Sequence, residues 1–315
     1  MIVVTGSSGF VGRRIVSYLD GVGYSVCAVS RDGKPLRGAS RCMRRDDVLK
    51  EGVCSVDSLI HLEVKQHVEA PSSEDLDLFR VVNVEGTKEW LDWCSRFGVR
   101  RFVFFSSVKA VKAEQVGSGS VVVCNDHYGH SKRAAEALVI AWARQCAERS
   151  VLIVRPAVIC GPGNTANMFS MVRSIDQGIF FLLGPNDNLK SLVSIGNVVA
   201  AVHHLLRNSV PGVQVYNLVD KESFSVRQIA EMIAVELGRK APIRSIPPGF
   251  AWLVAEVGEL WRSFTGKSLP LTRARLRAML DQFLFSAVST RSSCVLASAA
   301  SARERPAHSL ARRAQ

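Results

Sequence analysis

The chain has 315 residues, of which 47% are hydrophobic, and its mean hydropathy is +0.13. These values are typical of a folded protein with a large core and exclude a disordered chain. The formal net charge of +12 raises the question of nucleic-acid binding. The basic residues concentrate in residues 31–45 and in the C-terminal tail, without interleaved aromatic residues, so no nucleic-acid partner is expected. No run reaches 18 consecutive apolar residues, so no membrane span is expected.

The eight cysteines are scattered, without a Cys-x-x-Cys pair or a His/Cys cluster at metal-ligand spacing. We therefore expect free thiols in a reducing compartment and no metal site. The first apolar strand begins at residue 2, which leaves no room for the charged leader and apolar centre of a signal peptide. The expected location is the cytoplasm.

The first twelve residues form the pattern around which the rest of the chain is interpreted. A buried strand is predicted near residues 2–5, followed by glycines at three-residue spacing and an amphipathic helix near residues 11–20. Glycines allow a tight turn and a close approach of the backbone to a pyrophosphate, whose charge then lies at the helix N-terminus. An ordinary strand-to-helix turn has the same local pattern. The residues expected to bind a dinucleotide here are Gly6, Ser8, Gly9, Phe10, Val11 and Gly12.

Strand-like apolar runs then alternate with helical segments. Further strands are predicted near residues 25–30, 58–62 and 102–106, and a further helix near residues 83–97. This alternation predicts an α/β fold of the Rossmann type, with a doubly wound parallel sheet covered by helices on both faces.

The end of the second strand bears on the choice of cofactor. An acidic residue at this place hydrogen-bonds the adenosine ribose of NAD, whereas an arginine accommodates the 2′-phosphate of NADP. Ser30 and Arg31 occupy it, with Arg37 and Arg41 close in sequence, so NADP is favoured over NAD. The alternatives are that Arg31 is a solvated surface charge and that Asp32 binds the ribose. Asp47 and Val48 follow a short possible strand and are placed at the adenine; Asp46 is an equally plausible carboxylate.

A second constellation follows the strand at residues 102–106. That strand ends in Ser106 and Ser107, and Tyr128 and Lys132 are four residues apart, so that on a helix they share one face. A phenol with a pKa of ~10 is a poor base at neutral pH. A neighbouring ammonium and the positive nicotinamide ring both favour the phenolate. Tyr128 can then exchange a hydroxyl proton while hydride moves at the adjacent carbon, and Ser107 hydrogen-bonds the same oxygen. A tyrosine stacked on a surface lysine is the alternative.

Several motifs together resemble the extended short-chain dehydrogenases/reductases, and among them the NAD-dependent epimerase/dehydratase family, near its UDP-glucose 4-epimerases and sugar-nucleotide 4-reductases. The resemblance extends over about residues 1–282. The motifs that carry it are Thr5-Gly-Ser-Ser-Gly-Phe-Val-Gly12, His61-Leu62, Asn83-Val-Glu-Gly-Thr87, Phe105-Ser-Ser107, Tyr128-Gly-His-Ser-Lys132 and Arg155-Pro-Ala-Val-Ile-Cys-Gly-Pro-Gly163.

This resemblance implies roles for individual residues. Ser107, Tyr128 and Lys132 are implied as catalytic, Asn83 as mainly architectural, and a homodimer is implied through the two helices that flank the site. The residues implied in cofactor binding beyond the glycine turn are Leu62, Tyr128 and Lys132, and those implied in substrate binding are Ser107, Asn164 and Lys190.

The resemblance also implies a domain organisation. The nucleotide-binding domain is expected at residues 1–165, and a smaller substrate-binding lobe at residues 166–282, with part of residues 191–221 returning to the Rossmann sheet. Residues 283–315 form an atypical tail rich in Ser, Ala and Arg. This tail is either a disordered basic segment or the product of an altered reading frame, since the family pattern is missing after about residue 286.

The chain departs from the family at five positions. Glu63 follows His61-Leu62 where the family has alanine, so that a carboxylate is expected near the nicotinamide. The other departures are Cys160 for a tyrosine, Lys190 for an arginine, Gly196 for an aspartate and His127 for a proline. The Glu63 and Gly196 departures are the ones expected to weaken binding.

The expected function is oxidation or reduction at C4 of a nucleotide-linked sugar with NAD or NADP, by a 4-epimerase or a 4-reductase. Two alternatives remain open at the level of the sequence. One is an NADPH-dependent reductase of another carbonyl, of the steroid or flavonoid type. The other is a protein that binds NADP as a sensor or scaffold without turnover.

Overall fold

The fold was taken from a computed structural model, which describes residues 1–66, 72–111, 126–164, 167–183, 187–240, 244–247, 249–250, 252 and 256. The expected tail at residues 283–315 lies outside the described residues, as does most of the second half of the expected substrate lobe.

The described residues form twelve strands and eight α-helices. The strands are β1 (Ile2–Thr5), β2 (Val26–Ser30), β3 (Arg41–Arg44), β4 (Ser58–His61), β5 (Arg101–Phe105), β6 (Ser150–Pro156), β7 (Val158–Cys160), β8 (Leu182–Leu183), β9 (Leu189–Ser194), β10 (Gly212–Leu218), β11 (Ser223–Ser225) and β12 (Ser245–Ile246). The helices are α1 (Phe10–Gly21), α2 (Arg45–Glu51), α3 (Ser73–Leu78), α4 (Gly86–Arg96), α5 (His127–Arg144), α6 (Asn167–Asp176), α7 (Ile195–Arg207) and α8 (Val226–Glu236). A π-helical segment, Phe79–Glu85, joins α3 to α4, and a 3-10 turn, Val108–Ala110, follows β5.

Seven strands form one parallel sheet in the order β10-β6-β5-β4-β1-β2-β3. β1, β2 and β4 are buried along their whole length, which explains why their sequences are continuous apolar runs rather than alternating ones. The α/β fold with a Rossmann-type parallel sheet is therefore confirmed. The helix predicted near residues 83–97 begins earlier in the structure, because the π-helical segment continues directly into α4.

Helices cover both faces of this sheet. On one face the core is formed by the sheet with α1 and α7, which pack against each other. On the other face α4 and α5 supply bulky side chains such as Trp90 and Trp142. The carboxyl ends of the parallel strands thus lie at one edge, between the two helical layers, where ligands bind in folds of this kind.

Two smaller sheets follow β6. β7 and β9 are parallel neighbours, and β11 is antiparallel to β9; β8 and β12 form a second, two-stranded sheet. α6 and α8 pack together beside these strands. β10, in contrast, pairs with β6 over seven residues at the end of the large sheet. The domain boundaries at residues 165 and 282 stay a prediction. Within the described residues, no helix is both long and apolar enough to cross a membrane.

Candidate active site

The glycine turn after β1 has no space for a side chain at Gly6 or at Gly12. Gly6 has a φ of +62°, and a Cβ atom added to it would lie 2.8 Å from the carbonyl carbon of Leu62. A Cβ atom on Gly12 would lie 2.5 Å from the Gly6 carbonyl oxygen. Ser7 fixes the turn to the neighbouring strand, because its backbone N–H and its hydroxyl both donate to the Val29 carbonyl. The turn therefore has the shape that lets a pyrophosphate approach the backbone.

α1 begins directly behind this turn. Its N-cap is Gly9, which has no side chain to accept from the first N–H groups of the helix. Ser8 is exposed, and its carbonyl accepts a hydrogen bond of 2.7 Å from Arg13 Nε. Phe10 and Val11 form the first turn. Since the first N–H groups and the helix dipole both favour an anion, these residues fit the pyrophosphate of a dinucleotide.

The end of β2 presents two arginines. Arg31 is exposed, and Arg44, at the end of β3, is paired in register with Ser30. Arg44 is also exposed, so two cations lie at adjacent strand ends. Asp32 is already engaged: Lys34 and Ser30 hydrogen-bond its carboxylate and lower its pKa to about 2. Arg44 is thus a second basic residue at this edge that the sequence did not reveal, and the preference for NADP over NAD stays a prediction.

The residues expected at the adenine take different positions in α2. Asp46 and Asp47 are exposed in its first turn. The Val48 side chain is fully buried in the core, and its carbonyl accepts from Trp93 Nε1 at 2.8 Å. Of Asp47 and Val48, only the Asp47 side chain can therefore reach a ligand from this helix, because the Val48 N–H lies within the hydrogen-bonded part of α2.

A buried histidine connects the glycine turn to α4. His61 contacts the Thr5 hydroxyl through Nδ1 at 2.8 Å and the Thr87 hydroxyl through Nε2 at 3.1 Å. Thr87 donates its single proton to the Asn83 carbonyl, so Nε2 must carry the proton and Nδ1 must accept from Thr5. Thr5 in turn accepts from the Leu62 N–H at 3.2 Å. Burial, with the cations of Lys132 and Arg45, holds the pKa of His61 well below its usual value, so the ring stays neutral.

Asn83 has the architectural position that the resemblance implies. It is fully buried, its amide oxygen accepts from the Lys65 N–H at 2.8 Å, and its amide nitrogen donates to the Lys65 carbonyl and to the Ser131 hydroxyl. Asn83 therefore joins the loop after β4 to α5. This contact fixes the distance between the two walls of the site.

Glu63, the departure expected to disturb the nicotinamide, has two partners elsewhere. Its carboxylate accepts from Arg45 Nε at 3.1 Å and from Trp90 Nε1 at 2.9 Å. Arg45 also pairs with Glu89 on α4. The charge of Glu63 is thus compensated by α2 and α4.

Ser107 and Tyr128 meet at the carboxyl edge of the sheet. Ser107 caps the 3-10 turn by accepting from the Lys109 N–H at 3.2 Å, and its side chain also hydrogen-bonds Tyr128. Tyr128 lies in the first turn of α5, with its ring centroid 6.3 Å from that of Phe79. Burial raises the pKa of Tyr128 to about 12, and the Asp126 carboxylate adds to the increase, while the Ser107 hydrogen bond opposes it.

Lys132 lies one turn further along α5. Its side chain is only 2% exposed, and Nζ is 4.5 Å from the centroid of the Phe104 ring. Burial lowers the pKa of Lys132 to about 7, against the opposing charge of Glu136. A neighbouring ammonium favours a phenolate, whereas burial disfavours the charged form of both groups. The phenolate role of Tyr128 stays a prediction, because it depends on the charges of Lys132 and of the bound nicotinamide.

Three contacts hold the start of α5 against the 3-10 turn. A Cβ atom on Gly129 would lie 2.5 Å from the Lys109 carbonyl oxygen, so glycine is needed for the observed approach. Lys109 Nζ pairs with the Asp126 carboxylate at 2.6 Å, and Arg133 Nε donates to the Ala110 carbonyl at 2.9 Å. Tyr128 is thereby fixed next to Ser107.

The residues expected to bind substrate lie on and after the three-stranded sheet. Asn164 follows β7, and its amide donates to the Ile159 carbonyl at 2.7 Å. Lys190 lies on β9, opposite Phe224 of β11. Near Gly196, where the family has aspartate, Asp220 accepts from the Ser194 N–H and from the Asn197 amide at the start of α7. The carboxylate of Asp220 thus reaches this helix end from the loop between β10 and β11, which the local sequence does not reveal.

Comparisons with known proteins agree with this geometry. The chain matches the model of the "NAD dependent epimerase/dehydratase family" over residues 2–218. It is 26% identical over 299 residues to N-acetyl-alpha-D-glucosaminyl-diphospho-ditrans,octacis-undecaprenol 4-epimerase of Escherichia coli O157:H7, which covers 93% of this chain and 89% of that protein. It is 28% identical over 263 residues to UDP-glucose 4-epimerase of Vibrio cholerae, which covers 76% of each chain.

A solved structure is similar as well. It is MoeE5 in complex with UDP-glucuronic acid and NAD, with 28% identity and a TM-score of 0.66 over 78% of this chain and 84% of that chain. The cofactor is NAD or NADP. This conclusion follows from the parallel sheet, the glycine turn and the match to the family model. The chain belongs to the NAD-dependent epimerase/dehydratase family, within the extended short-chain dehydrogenases/reductases, and is a nicotinamide-dependent enzyme.

Proposed function

We propose that this enzyme transfers hydride at C4 of a nucleotide-linked sugar, as a 4-epimerase. The proposal is supported chiefly by the hydrogen bond between Ser107 and Tyr128, with Lys132 one turn further along α5 and a glycine turn that fits a dinucleotide. The names of two relatives support the position of the reaction, since both are 4-epimerases.

The side chains divide the chemistry among them. A bound nicotinamide ring would serve as the hydride acceptor and donor. Tyr128 exchanges the proton of the reacting oxygen, donating it in the direction of reduction and accepting it as phenolate in the direction of oxidation. Ser107 donates a hydrogen bond to that same oxygen, and the Lys132 ammonium stabilises the phenolate. Gly6, Gly9 and Gly12 hold the cofactor phosphates, and Asn164 and Lys190 are proposed to contact the substrate.

The group that is linked to the sugar through a diphosphate differs between the two relatives. The relatives' names include both a UDP-linked and a polyprenyl-diphosphate-linked sugar. Both are sugar diphosphates, so one reaction site serves either. We propose the nucleotide-linked form, and turnover of UDP-N-acetylglucosamine against the polyprenyl-linked sugar distinguishes them.

A substitution of Tyr128 by phenylalanine tests the proposed chemistry. Tyr128→Phe removes the exchangeable proton and leaves the ring packing, so we expect kcat to fall about 10²- to 10⁴-fold, the usual contribution of general acid–base catalysis. Fluorescence titration should show that cofactor binding is retained. Tyr18→Phe, at an exposed tyrosine of α1, is the matched control. Equal turnover of a 4-keto sugar by Tyr128→Phe and the parent would refute the assignment, and no turnover by the parent would favour the sensor or scaffold alternative.

A 4-reductase is the second candidate, because Arg31 and Arg44 favour NADP, which a reductase exchanges at each turnover. For Arg31→Asp we expect the Kd for NADP to rise relative to that for NAD by about 10- to 100-fold, since a hydrogen bond to a charged group contributes about 1.5–3 kcal/mol. Arg207→Asp makes the same charge change at an exposed position in the last turn of α7 and should leave the ratio unchanged. An unaltered NADP preference in Arg31→Asp would contradict this use of Arg31. Cofactor that copurifies as tightly held NAD would favour the epimerase.

Assembly and location remain predictions of the same kind. We propose a homodimer formed through the helices that flank the site, including α5, and a cytoplasmic location. Sedimentation and cell fractionation test them directly.

A further inference from the structure

A buried ion pair lies directly behind the candidate active site. Glu136 is 3% exposed, and its carboxylate accepts from Arg155 Nε at 2.8 Å and from Arg155 Nη2 at 2.5 Å, a bidentate arrangement. The Ser106 hydroxyl donates a further short hydrogen bond to it. Ser106 follows β5 and Arg155 lies on β6, so this carboxylate connects α5 to the ends of two neighbouring strands.

Glu136 also follows Lys132 by four residues on α5, and residues at this spacing lie on one face of a helix. Both side chains are buried. Among the described residues, the charged or titratable groups around Lys132 come from three elements: Tyr128 and Glu136 on α5, the neutral His61 on β4, and Arg155 on β6 behind the carboxylate. Glu136 is the group in this set that opposes the burial of the Lys132 charge.

The stability of the fold does not by itself require such a pair. A buried ion pair is often matched or exceeded in stability by apolar side chains of similar volume, because desolvation of the charges offsets their attraction. Removing only one partner, in contrast, leaves an uncompensated buried charge. The pair is well suited to something else: it fixes the position of a helix and supplies a negative charge at a defined point.

We propose that Glu136 is a positioning residue for the hydride-transfer site: Arg155 and Ser106 hold its carboxylate, and from the next turn of α5 its negative charge favours the ammonium form of Lys132. Its effect on turnover rests on the proposed function, whereas its effect on the charge of Lys132 does not. Because burial lowers the pKa of Lys132 to about 7, the fraction of ammonium near neutral pH depends on this carboxylate.

The charge of Lys132 can be followed without any substrate. In protein labelled with ¹⁵N-lysine, the Lys132 side-chain resonance is assigned by its absence in Lys132→Met and titrated by NMR. In Glu136→Gln the pKa of Lys132 should fall by roughly one pH unit, as expected for a nearby unit charge lost from a partly buried site. In Arg155→Met it should rise, because the positive charge that compensates Glu136 is removed. A purely structural role gives changes in the same direction, or none, and would overturn the proposal.

A double variant separates this effect from folding. Glu136→Leu with Arg155→Met replaces the pair by apolar side chains and should restore thermal stability relative to Glu136→Gln. We expect its Lys132 to titrate at lower pH than in the parent, and the alkaline limb of its kcat profile to move to lower pH with little change in KM. Recovery of both the parent titration and the parent profile would overturn the proposal. If the parent turns over no sugar, the proposed function fails, and the NMR titration still decides the role of Glu136.

Discussion

At the scale of single residues, the site contains a lysine whose burial reduces the stability of the folded state. Lys132 is nearly inaccessible to water, and its pKa is lowered to about 7 by burial. An unfolded lysine titrates near pH ~10.4. Below pH 7 the folded state therefore carries a buried charge that the unfolded state carries in water, and each unit of difference in pKa corresponds to about 1.4 kcal/mol. The lysine that the chemistry needs thus opposes folding, as expected for functional sites.

This cost predicts a pH-dependent gain in stability for Lys132→Met. Between pH 7 and about 10 the unfolded parent binds more protons than the folded parent, so the stability of the parent rises with pH in this range. The free energy of unfolding of the variant should exceed that of the parent by a few kcal/mol at pH 6, and by much less at pH 9.5. Urea unfolding at both pH values measures the difference.

Lys88→Met is the matched control for this prediction. The Lys88 side chain is 62% exposed and pairs with Asp92, so its replacement should leave stability nearly unchanged at either pH. Equal gains for Lys132→Met at pH 6 and pH 9.5 would show that burial of the charge is not the cause.

At the scale of elements, one helix organises the chemistry. α5 carries Tyr128, Lys132 and Glu136, and its first turn is placed by contacts with the 3-10 turn that carries Ser107. That Tyr128 and Lys132 share one helix face can be predicted from the sequence, because it depends only on helical geometry. The close approach of the two turns cannot be predicted in this way, because it depends on a contact between Gly129 and the Lys109 carbonyl, 20 residues away in the chain.

That contact makes Gly129→Ala a test of catalytic geometry. The added methyl group would lie 2.5 Å from the Lys109 carbonyl oxygen, so the helix start must move away from Ser107. We expect kcat to fall by about 10²-fold, the usual effect of a displacement near 1 Å. Stability should fall by about 1–3 kcal/mol, as for other overpacked sites. The Kd of the cofactor, held mainly by the glycine turn, should change little.

Gly196→Ala is the control within another helix. Its added Cβ has Ser194 Oγ at 4.0 Å as the nearest atom, so there is space in the first turn of α7. Alanine has the higher helix propensity, and activity and stability should be unchanged or slightly increased. If Gly129→Ala keeps the parent's kcat, the close approach of the two turns is not what aligns Tyr128 with Ser107.

At the scale of the whole molecule, the second half of the chain completes the nucleotide-binding sheet. β10 extends the sheet beside β6, and α7 packs on α1, the helix behind the glycine turn. The side chains of α7 share one core with β1 and α1. Folding of the cofactor site should therefore depend on residues far beyond residue 165.

Leu205→Ala tests this dependence. Leu205 is 5% exposed in the core between α7 and the sheet, and its truncation should lower the free energy of unfolding by about 2–5 kcal/mol. We expect a single unfolding transition that shifts with the variant and is stabilised by added cofactor. Val210→Ala, at a position 52% exposed, should leave the transition in place. Two transitions, with the cofactor-dependent one unaffected by Leu205→Ala, would indicate an autonomous N-terminal domain.

The sequence by itself determined the features that are local. The glycine spacing of residues 6–12, the apolar strands and the Tyr128–Lys132 interval depend on backbone geometry within a few residues, and they were sufficient for the fold class and for the cofactor class. The family resemblance follows from the order of these local motifs along the chain.

Only the tertiary structure decided which distant residues meet. It paired Glu63 with Arg45 and Trp90, placed Arg44 beside Ser30, and locked Glu136 to Arg155. It also buried Tyr128 and Lys132, which raises the pKa of the phenol and lowers that of the ammonium, and the sequence does not display this burial. Burial and long-range contacts arise when separate elements pack, and the charge states of Tyr128 and Lys132 follow from that packing.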